Sequence, residues 1–343
     1  MSQDSTLPTR SITFSVFADL YYAYDFSNPA NHLRPSFLYN YNRHNEFNLN
    51  LGLVRASYND KRVRANLGLM AGTYAQYNMA AEPELLRHVY DANAGVNLLS
   101  DGNLWIDVGI IPSHLGYESV ISKDDWTLTR NLASENSPYY ETGARISYTN
   151  KKNTLTLSGF ILNGWQRIQR PEGNNTPAFG TQISYTPSEK LTLNWSSFVG
   201  NDKPDSVKQW RYFNDFYAII KITEKLGLTL GFDIGQEQKS TGSDSYNTWY
   251  TPNMVLRYKF NDDWTMAARV EYYQDKHGVI IYTGSPNGFK TFGTSLNIDR
   301  KIGDHFHWRT EFRSLNSKDP IFQKDVGSIN SNTAITSSFA VSF

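Results

Sequence analysis

Along most of the chain, apolar and polar residues alternate one for one. Near the start, Ile12, Phe14, Val16, Ala18, Leu20 and Tyr22 occupy one set of positions, and Ser15, Asp19 and Tyr21 the other. The pattern returns as Phe47, Leu49, Leu51 and Leu53 against Asn48, Asn50 and Gly52. It returns again as Val63, Ala65, Leu67, Leu69 and Ala71 against Arg62, Arg64, Asn66 and Gly68. Residues 104–110, 226–235, 264–273 and 306–313 behave alike. Side chains of a strand point to opposite faces with a period of two, so these segments read as half-apolar strands. A helix would scatter the same apolar residues around its axis. Each apolar face runs for about ten residues, the length a tilted strand needs to cross a bilayer.

The connections alternate as well. Short polar turns fall at 59–61, 100–103, 150–153, 187–190, 223–225, 261–263 and 301–304. Longer segments fall between them, near 25–35, 78–87, 112–137, 168–177, 201–210, 239–247, 276–287 and 317–329. Short turns at one end and long loops at the other define an outer-membrane barrel, with the turns in the periplasm. The spacing predicts an all-β, closed antiparallel transmembrane barrel of sixteen strands over 11–343. Counts of fourteen or eighteen stay open because the run 36–58 is long, and 42–45 could be an extra turn. Residues 1–10 are expected to be a periplasmic extension. The last strand ends in Phe339, Val341 and Phe343, an aromatic-ended pattern expected to act as the signal for outer-membrane assembly machinery.

Composition agrees with one lipid face and one wet face. Mean hydropathy is −0.52, yet aromatic residues make up 14% of the chain. Tyrosine and tryptophan girdles at the two membrane boundaries would use them. Lys plus Arg equals Asp plus Glu at 33 each, which argues against nucleic acid as a partner. The chain has no cysteine, so disulfides and thiolate chemistry are excluded. No run of about 18 apolar residues offers a spanning helix. The start, MSQDSTLPTR, lacks the basic and apolar regions of a secretion signal. An exported barrel needs one, so the chain reads as a mature form with Met1 added.

Several segments resemble the OmpL-like β-barrel porins of Gram-negative bacteria. They are FADLYYAYDFSNP, RPSFLYNYNRHNEFNLNLGLVRASY, AEPELLRHVYDANAGV and LWIDVGIIPSHLGYESVISKDDWTLTRNLASENSPYYETGARISY. The resemblance is continuous from Phe17 to about Tyr148. It implies an outer-membrane location and a pore. It implies no catalytic residue and no fixed substrate.

Charge on the second face supplies the candidate chemistry. Alternation assigns Asp19, Arg62, Arg64, Asp107, Glu141, Arg145, Asp233, Arg257, Arg269, Glu271, Arg309, Glu311 and Arg313 to the lumen. On the lipid face, an Arg or Lys near midplane would cost about 2–4 kcal/mol. Inside, these groups can set a field across the pore or brace the wall by pairing with one another. The segment 112–137 is the longest loop and carries Glu118, Lys123, Asp124, Asp125, Arg130 and Glu135. By analogy with porins it is expected to fold inward and narrow the channel. Residues 123–133 could form a short helix capped by Ser122.

Metal and catalytic sites find little support. The seven histidines are scattered, and His305 and His307 lack a third ligand nearby. Asp124–Asp125 and Asp262–Asp263 read as solvated loop carboxylates, with loop-bound calcium left open. Ser113 and His114 are neighbours in sequence and so face apart, a poor nucleophile–base pair. Trp126, Trp165, Trp210 and Trp249 read mainly as membrane-boundary anchors, and each of the pairs Tyr21–Tyr22 and Tyr139–Tyr140 should send one ring to lipid. The expected function is passive diffusion of small hydrophilic solutes or ions, with no cofactor, no metal and no enzyme activity. The alternative is a barrel with a blocked lumen that binds a partner protein or surface polymer through its loops. A monomer and a trimer both fit the sequence.

Overall fold

The computed structural model describes residues 12–99, 102–324 and 327–343. The expected extension at 1–10 lies outside the described residues. The strands are β1 (Ile12–Asp25), β2 (Phe47–Asn59), β3 (Val63–Ala71), β4 (Val89–Asn97), β5 (Leu104–Pro112), β6 (Tyr140–Thr149), β7 (Leu155–Leu162) and β8 (Ala178–Ser188). They continue with β9 (Leu191–Gly200), β10 (Arg211–Lys221), β11 (Leu226–Gln238), β12 (Tyr246–Lys259), β13 (Trp264–Asp275), β14 (Phe289–Ile302) and β15 (Phe306–Ser317). A final strand, Ser331–Ser342, pairs with both β15 and β1 and closes a sixteen-stranded antiparallel ring. A small hairpin, Phe322–Gln323 with Ser328–Ile329, stands outside the ring.

The short turns are built by side chains that mimic backbone. Asp60 Oδ1 accepts from Arg62 N and Val63 N, at 2.6 and 3.2 Å. Asn150 Oδ1 accepts from Thr154 N and Leu155 N, and Asn261 Oδ1 from Asp263 N and Trp264 N. Arg62 therefore sits exposed in a turn, one residue before β3, and not in the barrel wall as the alternation suggested.

The second strand is shorter than its sequence run. Residues 26–46 form a loop that folds back on itself, with Leu33 bridged to Arg43, and β2 begins only at Phe47. Within β2 the register slips by one. Asp19 faces Leu51 while Leu20 faces Leu49, so Asn50 is an extra residue, a bulge. One extra residue turns every later side chain over. Leu51 and Leu53, expected on the lipid face with Phe47, are buried inside with Asp19 and Phe17, whereas Phe47 and Val54 lie exposed outside. A second slip at Gly68/Leu69 leaves Tyr90 as the extra residue in β4.

Inside, the loop-side half of the barrel is apolar where alternation alone suggested polar groups. Phe198, Phe213, Trp249, Tyr273, Phe289 and Leu315 join Phe37 and Ile281 of the loops in one buried cluster. Trp249 and Trp165 belong to this packing and are not boundary anchors: Phe213 lies parallel to Trp249 and edge-on to Trp165. Tyr139 and Tyr140 are both buried, because each hydroxyl donates to a carboxylate of a loop, Glu135 and Glu82 respectively.

A candidate constriction inside the barrel

Residues 113–139, between β5 and β6, enter the barrel and bond to its wall on several sides. At the entry, the His114 ring stacks on Phe160 at 4.1 Å between ring centres. Its Nδ1 lies 2.8 Å from Glu141 Oε2 and its Nε2 2.9 Å from Ser197 O. Gly180 makes room, since a Cβ there would stand 2.7 Å from His114 Nε2. Tyr117 donates to Asn253 Oδ1 at 2.5 Å. Further in, Ser122 donates to Asp19 Oδ2 at 2.8 Å, and Arg309 donates to the carbonyls of Ser122 and Asp125. The Trp126 indole fills the space above Gly227, with Arg257 5.8 Å from its ring centre.

The far arm returns along β13–β15. Leu128 N donates to Asn297 Oδ1, Thr129 N to Glu311 Oε2 and Leu132 N to Glu271 Oε2, at 3.1, 2.6 and 2.6 Å. Arg269 donates to Thr129 O at 2.5 Å. The expected helix over 123–133 is absent. A 3₁₀ turn, Ser122–Asp124, and one helical turn, α1 (Leu132–Glu135), stand in its place. Asn131 caps α1 by accepting from Ser134 N, and wall carboxylates take the other amides that a longer helix would have used internally. Glu135 leaves this arm to accept from Tyr39 N, Asn40 N and the Tyr139 hydroxyl, tying the first loop on top.

Wall charges meet as pairs. Arg269 contacts Glu311, Arg313 contacts Glu271 and Arg309 contacts Asp299, each at 2.7 Å, with almost no exposure except at Asp299, whose side chain is 12% exposed. Asp233 is buried opposite Asp215 on β10. Across β2–β6 the arrangement is different. Arg64 and Arg145 both hold Asp107, at 2.5 and 2.9 Å, and Arg55 holds Asp91 at 2.6 Å. Here the arginine side chains are 27–31% exposed while both carboxylates are 1% or less. Lys123 and Asp124 form a partly exposed pair at 2.7 Å.

Sequence reasoning missed His114, Tyr117, Arg55, Asp91, Asp215 and Asp299. Asp91 was hidden by the bulged Tyr90 beside it. Nothing beside His114 in sequence marks its partners, and the Oγ of its neighbour Ser113 accepts from Leu115 N.

Burial pushes the carboxyl groups of Asp125 and Glu118 up, Asp125 well above its ordinary range with the Glu118 charge adding to the effect. At His114, burial opposes the charged ring, but Glu141 outweighs it and the pKa rises above 6.5. All three shifts have one sign. A raised pKa gives stability that is full below the unfolded value and is lost as pH rises through the folded value. Seating of the loop should therefore weaken as pH rises above the ordinary histidine range, where His114 loses its charge. Single-channel recordings across this range should show rising current noise. His114→Gln should flatten that response, and a wild-type trace equally quiet at both ends would overturn it.

A sixteen-stranded ring with a long loop drawn inside is the architecture of an outer-membrane porin. The chain belongs to the family described as "Putative beta-barrel porin-2, OmpL-like", whose pattern matches residues 11–343. No curated protein matches the chain in sequence. Among solved structures it is similar to the anion-selective porin from Comamonas acidovorans (TM-score 0.64, 9% identity, 97% of this chain and 99% of that one). It is also similar to OmpT of Vibrio cholerae (TM-score 0.63, 8% identity, 97% of each chain) and to the outer-membrane channel DcaP of Acinetobacter baumannii (TM-score 0.63, 11% identity, 97% of each chain). At such identities the likeness shows the fold. Family and fold together place the chain in the bacterial outer membrane as a β-barrel porin.

Proposed function

We propose that the barrel passes small hydrophilic solutes by passive diffusion, with a preference for anions, between the inward loop and the wall formed by β2–β6. The observation that carries this reading is the one-sided exposure of the wall charges. Arg55, Arg64 and Arg145 present their guanidinium groups to the lumen, while Asp91 and Asp107 are hidden behind them. A passing ion meets the exposed member of each pair, and fixed charge at close quarters selects by sign. Hydrogen bonds of residues 113–139 reach β1, β6, β8, β9 and β12–β15, and Val120 joins an apolar cluster with Leu51, Leu53 and Met70, but none of these contacts involves Arg55, Arg64 or Arg145. The remaining lumenal charges, Arg269, Glu271, Arg309, Glu311 and Arg313, brace the wall and the loop. Lipid covers the outer face, and Phe339, Val341 and Phe343 serve assembly.

The test is the reversal potential of single channels in a salt gradient. It should take the sign of an anion-preferring pore, and Arg64→Gln with Arg145→Gln should move it toward zero. A cation-preferring wild type would overturn the reading. The apolar cluster across the loop-side half favours a second reading, a barrel closed to solutes that holds a partner by its loops. Folded, inserted protein that never conducts would establish that one.

A further inference from the structure

Between the two arms of the inward loop and strand β4 lies a cavity of about 210 Å³. Tyr90, Leu115, Tyr117, Glu118, Arg130 and Tyr139 line it. Arg130 is 4% exposed, and its guanidinium carbon lies over the Tyr139 ring, 3.7 Å from the ring centre. Its Nε and Nη1 are buried with no hydrogen-bond partner among the described residues. Buried charge of this kind is normally paired or hydrogen-bonded. Glu118, 9% exposed, accepts a hydrogen bond from Asn131 N at 2.7 Å. It lies within the electrostatic reach of Arg130, yet among the described residues no ion pair joins the two.

The cavity therefore has a cationic end and an anionic end held apart. A simple anion drawn to Arg130 would face Glu118. A simple cation drawn to Glu118 would face Arg130. A neutral solute would satisfy neither. We propose that this cavity binds a small zwitterion of the α-amino-acid type, its carboxylate on Arg130 and its ammonium toward Glu118. The cavity is far larger than the ~10–15 Å³ that holds a single water, which leaves room for a small molecule. The rings of Tyr90, Tyr117 and Tyr139 give the remaining walls apolar surface for a short side chain. The site's role as a stopping point for solute rests on the pore reading; the binding does not.

Calorimetric titration of the full chain in detergent with L-alanine tests the binding, with acetate and methylammonium as single-charge controls. Alanine should saturate, and both controls should bind at least about tenfold more weakly, since each leaves one buried charge unmet. Arg130→Gln and Glu118→Gln should each weaken alanine by about tenfold or more, a typical loss for one charge-assisted hydrogen bond. Val120→Phe, which fills the cavity from its apolar side, should abolish binding without touching a charge. Heat-modifiable migration on gels reports whether each variant has folded. If the variants do not fold, the wild-type comparison of the three probes decides alone. Absence of saturable alanine binding, acetate as tight as alanine, or folded variants that bind unchanged would each overturn the proposal. Alanine binding by a barrel that never conducts would instead remove the pore reading and leave the site standing.

Discussion

Deletion of residues 123–133 is expected to raise single-channel conductance several-fold while the barrel still folds. The segment carries Trp126 over Gly227 and the amides that bond to Asn297, Glu311 and Glu271. Without it, the middle of the lumen loses its cross-piece. Folding should survive because the wall charges do not depend on the loop for their counter-ions. Arg269 keeps Glu311, Arg313 keeps Glu271 and Arg309 keeps Asp299. The lost bonds leave polar groups facing water that enters with the wider bore, and a solvated orphan costs little. Planar-bilayer recording of the deletion beside wild type is the measurement. Equal conductance from a correctly folded deletion would mean that the loop does not limit the path, and the apolar cluster nearer the mouth would become the narrow point.

Glu271→Ala should act the opposite way, on stability more than on flow. Glu271 Oε1 accepts from Arg313 Nε and Nη2 at 3.1 and 2.7 Å and lies 3.4 Å from Arg269 Nε, while Oε2 accepts from Leu132 N. Removing the carboxylate leaves Arg313 buried without its partner and Arg269 with Glu311 alone. Breaking a buried ion pair from one side typically costs about 3–5 kcal/mol. Urea unfolding of the protein in lipid vesicles should show a loss of that size. The paired variant, Glu271→Gln with Arg313→Gln, should lose much less, because no charge is stranded. Equal losses from the single and paired variants would show that the network stabilises by packing and not by charge.

Periodicity made most of the wall readable. A period of two in the side chains has only one structural meaning over ten residues, so the lipid-facing ladders from β3 to β15 follow from the sequence. So does the inward direction of Asp19, Arg269, Glu271, Arg309, Glu311 and Arg313, since charge in hydrocarbon is costly. What escaped were features that break the period by a single residue. The Asn50 bulge leaves the apolar–polar alternation of 47–53 intact on paper, yet reverses which half of it meets lipid. The inward Trp249 escaped for another reason. Aromatic residues near strand ends suit a membrane boundary and a dry lumen equally, and only the position of the facing loops separates the two. Pairings such as His114 with Glu141, or Ser122 with Asp19, join residues far apart in sequence, and no local pattern encodes them. The Asn131 cap on Ser134 N is local, but the carboxylates that hold Leu132 N and Thr129 N come from β13 and β15.

The seam of the barrel has a further consequence. Strand β1 meets the final strand from Phe17 opposite Ser342 to Asp25 opposite Ala334, and Val16 and Phe343 exchange two backbone hydrogen bonds at 3.0 Å. The sheet is thus a loop of strands with no privileged beginning. Any partial ring has two raw edges, and in hydrocarbon each unpaired backbone group costs several kcal/mol. The ring therefore gains its membrane-compatible form in one closing step between segments more than 300 residues apart, a long-range contact of the kind that slows folding. By the same geometry, a chain opened at the 223–225 turn and rejoined between its present ends describes the same ring. The seam is a place in the sequence rather than a weak place in the wall.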